Sequence, residues 1–124
     1  KPQAQLKDID FRVQIEIVNK ELLFPKNKML QIFGNMISNA IKFTNPNGNV
    51  VVNLAFGEIK DSRALLNFSV KDDGVGMTDQ QIEQMLNHQA LINTLKGTIE
   101  IRSELNKGTE ILVHLPVKIF DQKN

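Results

Sequence analysis

Two runs with a period of two most constrain how this chain folds. "NVVVNLAF" (49–56) and "ALLNFSVKD" (64–72) are rich in β-branched and aromatic residues, and Leu66, Phe68 and Val70 of the second share one face. The intervening "GEIKDSR" reads as the turn of a hairpin. A sheet with one apolar face needs a cover. Just upstream, from about Lys28 to Phe43, the period changes: Met29, Ile32, Phe33, Met36, Ile37, Ala40 and Ile41 recur at helical spacing, until Pro46 and Gly48 stop the helix. That helix also sets Asn35, Asn39 and Lys42 within roughly 60° of arc, one polar stripe beside the core face. Such a stripe is either a solvated edge or a site.

The flanking segments extend the same plan. "IDFRVQIEI" (9–17) alternates Ile9, Phe11, Val13, Ile15 and Ile17 with polar residues and predicts a half-buried strand. "MTDQQIEQML" predicts a short helix with Thr78 as N-cap and Gln81 completing a capping box. "HQALINTL" (88–95) reads as a second short helix, with Gly97 suited to the left-handed position beyond its end. "TIEIRSEL" and "TEILVHLPV" form a final hairpin through "NKG", where Gly108 is available for positive φ, and the tail "KIFDQKN" is expected to fray. The order βα, ββ, α, α, ββ predicts an α+β fold: a two-layer α/β sandwich whose mixed, mostly antiparallel sheet is covered on one face by helices. At 124 residues, 1–124 is a single domain.

Composition removes several function classes. The 15 Lys and Arg nearly balance the 14 Asp and Glu and do not cluster, so the chain has no electrostatic footprint for nucleic acid. With no Cys there are no disulfides or thiolate zinc sites, and two separated His residues leave little for another metal cluster. No apolar run approaches the ~20 residues of a membrane span, and "KPQAQLKDIDF" lacks the core of a signal peptide. The expectation is a soluble, cytoplasmic domain without direct membrane contact, or the cytoplasmic part of a membrane-anchored protein.

Chemistry concentrates in a second stretch, "KDDGVGM" (71–77). It leaves a strand, presents an acid at Asp72, and places glycines at 74 and 76, where backbone can approach a flat ligand closely. An acceptor beside open backbone can read a base edge; the plainer reading is a strand-to-helix turn that uses glycine for geometry. Asp79 stands where a dinucleotide fingerprint needs its third glycine, and the ligand ladder of a calcium loop is missing beyond Asp73. For the helix stripe, Asn oxygens suit a magnesium shell completed by phosphates and water, and Lys42 offers a point charge to phosphate.

Together, the N-x-x-x-N-A-x-K-F-T helix, the strand ending in D-x-G-x-G, and the closing "KGTIEIRSELNKGTEILVHLPV" resemble the ATP-binding catalytic domain of sensor histidine kinases. The resemblance covers nearly the whole chain, in the family's order. The wider superfamily includes gyrase, the heat-shock chaperone ATPases and the mismatch-repair ATPases. Within it the likeness to the kinase branch rests on "NMISNAIKFT": gyrase-like hydrolases carry a Glu base where Asn35 stands, and an amide cannot act as a general base at neutral pH. The resemblance implies the histidine-kinase ATPase fold, with Mg-ATP as ligand. It implies Asn39 as the magnesium ligand supported by Asn35, Lys42 at phosphate, Phe43 against the nucleotide, and Asp72 accepting from the adenine amino group. Gly74, Gly76 and Met77 would line the base pocket, and Thr109 would help through water near Asp72.

It further implies a kinase that hands the γ-phosphoryl to a His on a separate dimerisation and phosphoacceptor domain, for passage to a response regulator receiver domain. No helical hairpin of that kind is read in these residues, and His88 and His114 read as packing or solvated residues, so this piece is expected to bind ATP but lack its own phosphoacceptor. Two readings stand beside it: a degenerate, non-catalytic nucleotide-binding or interaction module of the same fold, and an anti-sigma-factor serine-kinase relative. The chain departs from the family at one place. A flexible lid ending in G-x-G-L normally separates the two short helices, whereas "QMLN" here runs directly into "HQALINTLKG". We expect a disordered lid to be missing at this junction, near Asn87 and His88; the alternative is a natural short connection capped by Asn87 and a poor grip on phosphate.

Overall fold

A computed structural model describes residues 8–15, 20–23, 26–57, 59–86 and 89–121. The elements are β1 (Asp10–Ile15), β2 (Lys20–Leu23), α1 (Lys26–Phe43), β3 (Asn49–Phe56), β4 (Arg63–Asp72), α2 (Asp79–Leu86), α3 (Gln89–Thr94), β5 (Thr98–Glu104) and β6 (Gly108–Asp121). The six strands form one sheet in the order β1-β3-β4-β6-β2, with β5 also pairing β6. Among the described strands only β1 and β3 run parallel; the other pairings are antiparallel. The helices cover one face, giving the expected α+β sandwich.

Its centre is α1 lying on β4. The Phe33 and Phe68 rings stack with centroids 3.9 Å apart and planes 14° off parallel. Around them Met36, Val50, Val70, Ile92, Val113 and Leu115 lose nearly all contact with solvent. The β4 alternation is obeyed: Ala64, Leu66, Phe68, Val70 and Asp72 face the helices. α1 stops at Thr44, whose hydroxyl donates to the Ala40 carbonyl at 2.6 Å, and the chain turns through Pro46 and Asn47, the latter at φ 66°. The β3–β4 turn closes on Asp61 and Ser62, both at positive φ, between paired Lys60 and Arg63. That is a primed two-residue turn made without glycine.

Several expectations need correction. β2 went unrecognised, and the tail expected to fray continues β6 to Asp121, where it pairs β2 from Lys20↔Asp121 to Leu23↔Lys118. Neither four-residue partner shows a sequence period, so only the pairing makes the strand. β1 ends its described span at Ile15; its predicted extension to 17 lies outside the described residues. Its half-buried face is buried only at one end: Ile9 is enclosed, whereas Val13 and Ile15 stay 49% and 59% exposed. β1 is the sheet edge, and α1 sits over the middle. Beyond α3 the left-handed residue is Lys96 at φ 61°, not Gly97. Gly97 is required for approach instead, since a Cβ there would lie 2.3 Å from Leu115 Cδ2 and 2.6 Å from the His114 carbonyl oxygen. His114, expected to be solvated, is half-buried and pairs its Nδ1 with Asn67 Oδ1 at 2.6 Å across β4 and β6. His88, Asn87 and the junction between α2 and α3 lie outside the described residues.

Candidate functional site

The end of α1 and the turn after β4 are physically joined. The Val75 amide donates to the Phe43 carbonyl at 3.1 Å, and a Cβ on Gly74 would stand 2.1 Å from that same oxygen. On its other side the turn meets the β5–β6 hairpin: the Asn106 amide donates to the Val75 carbonyl at 2.7 Å. Gly76, at φ +78°, has no room for a Cβ beside the Glu104 carbonyl oxygen 2.3 Å away. The space these glycines leave is therefore filled by protein backbone. These glycines are packing points between three segments.

Asp72 closes β4 and is buried, with 6% of its surface exposed. Its Oδ1 accepts the Gly74 amide at 2.9 Å. Burial raises its carboxyl above the usual aspartate value, and the nearby Asp73 charge adds to this, against the opposing pull of the Gly74 and Thr109 backbone amides. The exposed neighbour behaves oppositely: two hydrogen bonds from Asn49, backbone and side chain, hold the Asp73 carboxyl below the usual range. Adjacent carboxyls thus divide the work, Asp73 tying β3 to the turn while Asp72 points into the helix-facing layer.

Across the sheet from Asp72 stands Thr109, and across from Thr109 stands Ser103. Ser103 Oγ accepts the Met77 amide at 2.8 Å, lies 2.8 Å from Thr109 Oγ1 and donates to the Gly108 carbonyl at 3.2 Å. Sequence reasoning passed over Ser103. The expected "NKG" turn would set Leu105 opposite Thr109; the observed turn is 105–107, with Glu104 paired to Gly108, and that register sets Ser103 there.

The helix stripe borders a separate cleft of about 250 Å³ lined by Asn39, Lys42, Phe43, Met77, Gln81, Gln84 and Met85. α2 forms its far wall and is held by the expected capping box: Thr78 N donates to Gln81 Oε1 at 2.8 Å, and Gln81 N to Thr78 Oγ1 at 3.2 Å. Asn39 Nδ2 reaches the Met85 sulfur at 3.7 Å, which leaves its amide oxygen as the group offered to a ligand. The Lys42 ammonium lies 5.6 Å from the Phe43 ring centroid. Asn35 sits one turn back, half-buried, and is not part of the lining. Gln81, Gln84 and Met85 are additions that sequence reading missed, because only the packing of α2 on α1 brings them there.

A separate hollow of about 310 Å³ lies where Lys71, Arg102 and Glu110 meet the β5–β6 turn at Glu104, Lys107 and Gly108, with Asp72, Ser103 and Thr109 at its border. The Met77–Ser103 hydrogen bond ties the rim of the cleft to β5. For a metal, the described residues contain no group of three or more His, Cys, Asp or Glu able to hold an ion. The donor set fits magnesium in one way: a single hard amide oxygen from Asn39 joining a shell that phosphates and water complete. No described helix is long and apolar enough to cross a membrane.

A two-layer sandwich that sets a buried acceptor carboxylate beside an amide- and ammonium-lined cleft has the parts of a nucleotide-binding domain. Residues 25–119 match the family described as histidine kinase-, DNA gyrase B-, and HSP90-like ATPase, and the chain belongs to that family. Among curated relatives, the autoinducer 2 sensor kinase/phosphatase LuxQ of Vibrio vulnificus is 25% identical, over 95% of this chain and 16% of its own. The cell-division control histidine kinase PdhS of Brucella suis is 29% identical, over 77% of this chain and 9% of its own. The chain therefore spans under a fifth of these relatives. The LuxQ alignment runs over 142 positions against a 124-residue chain, so that relative carries about two dozen residues with no counterpart here. Among solved structures, full-length ShkA in complex with AMPPNP has a TM-score of 0.77 at 22% identity, covering 98% of this chain and 28% of ShkA. The nucleotide-free catalytic domain of ThkA has a TM-score of 0.75 at 16% identity, covering 93% and 82%. These establish the shared fold.

Proposed function

We propose that this chain is the ATP-binding catalytic domain of a sensor histidine kinase, binding Mg-ATP and presenting its γ-phosphoryl to a His on a separate dimerisation domain of the full protein. The observation that carries the reading is the hydrogen-bonded union of the Phe43 end of α1 with the Asp72–Met77 turn, which brings both motifs to one end of the sandwich. In this reading Asp72 accepts from the adenine amino group. A base arriving from the cleft passes Met77, whose unbranched side chain has rotamers to yield. Phe43 flanks the nucleotide, Lys42 neutralises phosphate charge, and the Asn39 oxygen takes one magnesium position, with Asn35 supporting it from the preceding turn. Magnesium supplies charge neutralisation across the phosphate oxygens. Phosphoryl transfer has a loose transition state, so the domain contributes positioning and electrostatics rather than a covalent residue. An amide at 35 rather than a carboxylate supports transfer over hydrolysis. The likeness to sensor kinases supports a cytoplasmic setting and onward transfer to a response regulator.

A second reading, a nucleotide binder of the same fold without transfer activity, draws on the connection between α2 and α3. Two residues separate these helices. No glycine stands between Gly76 and Gly97, and no Lys or Arg between Lys71 and Lys96, so the sequence there supplies neither glycines nor a Lys or Arg for a phosphate loop. Titration calorimetry with ADP and magnesium tests the first reading: binding is expected, and no heat at millimolar nucleotide defeats it. Tryptic peptide mass separates the readings of the junction, since a single peptide running from Asp72 to Lys96 in the natural protein would exclude a missing lid.

A further inference from the structure

We infer that Ser103 sets the base selectivity of this site by fixing which way the Thr109 hydroxyl points its proton. The inference rests on the reading of Asp72 as the base acceptor. Ser103, Thr109 and Asp72 stand in one row across β5, β6 and β4, on the helix-facing side. A hydroxyl has one proton to give and two lone pairs to receive with. Ser103 Oγ has three neighbours at hydrogen-bonding distance: the Met77 amide, which only donates; the Gly108 carbonyl, which only accepts; and the Thr109 hydroxyl. One assignment satisfies all three. Ser103 receives the Met77 proton, gives its own to Gly108, and receives the Thr109 proton on its remaining lone pair.

The consequence falls on Thr109. Its only proton is spent on Ser103, so toward Asp72 it shows lone pairs alone. Thr109 is itself buried at 5% exposure, which leaves no bulk water to reorient it. Carboxylate and hydroxyl then form two acceptors side by side. That pair complements an exocyclic amino group, which has two protons to give, and repels the carbonyl oxygen that hypoxanthine and guanine carry at the same ring position. Ser103 touches no ligand in this arrangement; it is a positioning residue that converts an ambivalent hydroxyl into an acceptor.

The test compares ADP with IDP, in which a carbonyl replaces the 6-amino group and N1 carries a proton, by titration calorimetry in the presence of magnesium. The native chain is expected to prefer ADP. Ser103→Ala frees the Thr109 proton and is expected to lower the ADP-to-IDP preference about tenfold, while Ser103→Thr, which keeps the hydroxyl, retains it. Should the alanine variant fail to fold, Ser103→Cys, whose sulfur is a weak acceptor, is expected to move the preference in the same direction. With Thr109→Val in the background, Ser103→Ala should leave the preference where it was. A uniform loss for both nucleotides, with the preference intact, would mean that Ser103 only anchors the Met77 turn, and the inference would fall. A native chain that binds both equally, or neither, overturns the base-pocket reading and this inference with it.

Discussion

A buried carboxylate with a raised pKa is held against its own solvation preference, and Asp72 is held so at the base of the proposed nucleotide pocket. Replacing it by Asn separates affinity from stability. Asp72→Asn should weaken ADP about tenfold or more, since it puts a mixed amide where an amino donor seeks a charged acceptor, while raising the thermal midpoint at neutral pH by removing a desolvated charge. Calorimetric titration and thermal melts on the same variant check both. The pH dependence has a definite sign. Folding favours protonated Asp72, so its contribution to stability declines as pH rises from the ordinary 3.8 through the raised native value. Asp73 works the opposite way: its contribution is present above 3.8 and disappears as pH falls through its lowered value. Denaturation midpoints between about pH 3 and 6 should therefore lose the declining slope in Asp72→Asn and the rising one in Asp73→Asn. Gly74 is a third residue with no latitude. Ala there would press a methyl 2.1 Å from the Phe43 carbonyl oxygen, and a loss of about 3 kcal/mol is expected from urea unfolding.

At the scale of elements, the cleft depends on α1 and α2 being held face to face. α2 is eight residues long and begins at a capping box, so its N-terminus bears much of its stability. Thr78→Ala is expected to cost about 1 kcal/mol in unfolding free energy and to loosen the wall that carries Gln81, Gln84 and Met85. On α1, Lys42→Met should weaken ATP about tenfold and adenosine hardly at all, and should flatten the salt dependence of ATP binding, if that ammonium serves phosphate. Calorimetry at two ionic strengths reads all of this. Long periodic elements such as α1, β3 and β4 were legible in the sequence because burial imposes its period on every third, fourth or second residue. The short β2 and the end of β6 were not, because four residues hold too few repeats to show one and are strands only through each other. The capping box was read correctly from two letters, since its chemistry is local.

At the scale of the molecule, the proposed activity is shared with a separate dimerisation and phosphoacceptor domain. Mixed with γ-labelled ATP and the dimerisation domain of its own full-length protein, it should transfer label to a His; absence of label in a chain that binds ADP would favour the non-catalytic reading. By itself the sequence determined the α+β class, the helix with its amide stripe, and the acid-and-glycine turn, because each is written in local period or chemistry over a few consecutive residues. Tertiary structure decided what those pieces do to one another. It assigned the glycines at 74 and 76 to close backbone packing, set Gln81, Gln84 and Met85 across the cleft from Asn39 and Lys42, and brought Ser103 into line with Thr109 and Asp72. The physical reason is that hydrogen-bond partnership and space depend on strand register and helix docking, and these join residues 31 positions apart, such as Asp72 and Ser103, which no local pattern connects.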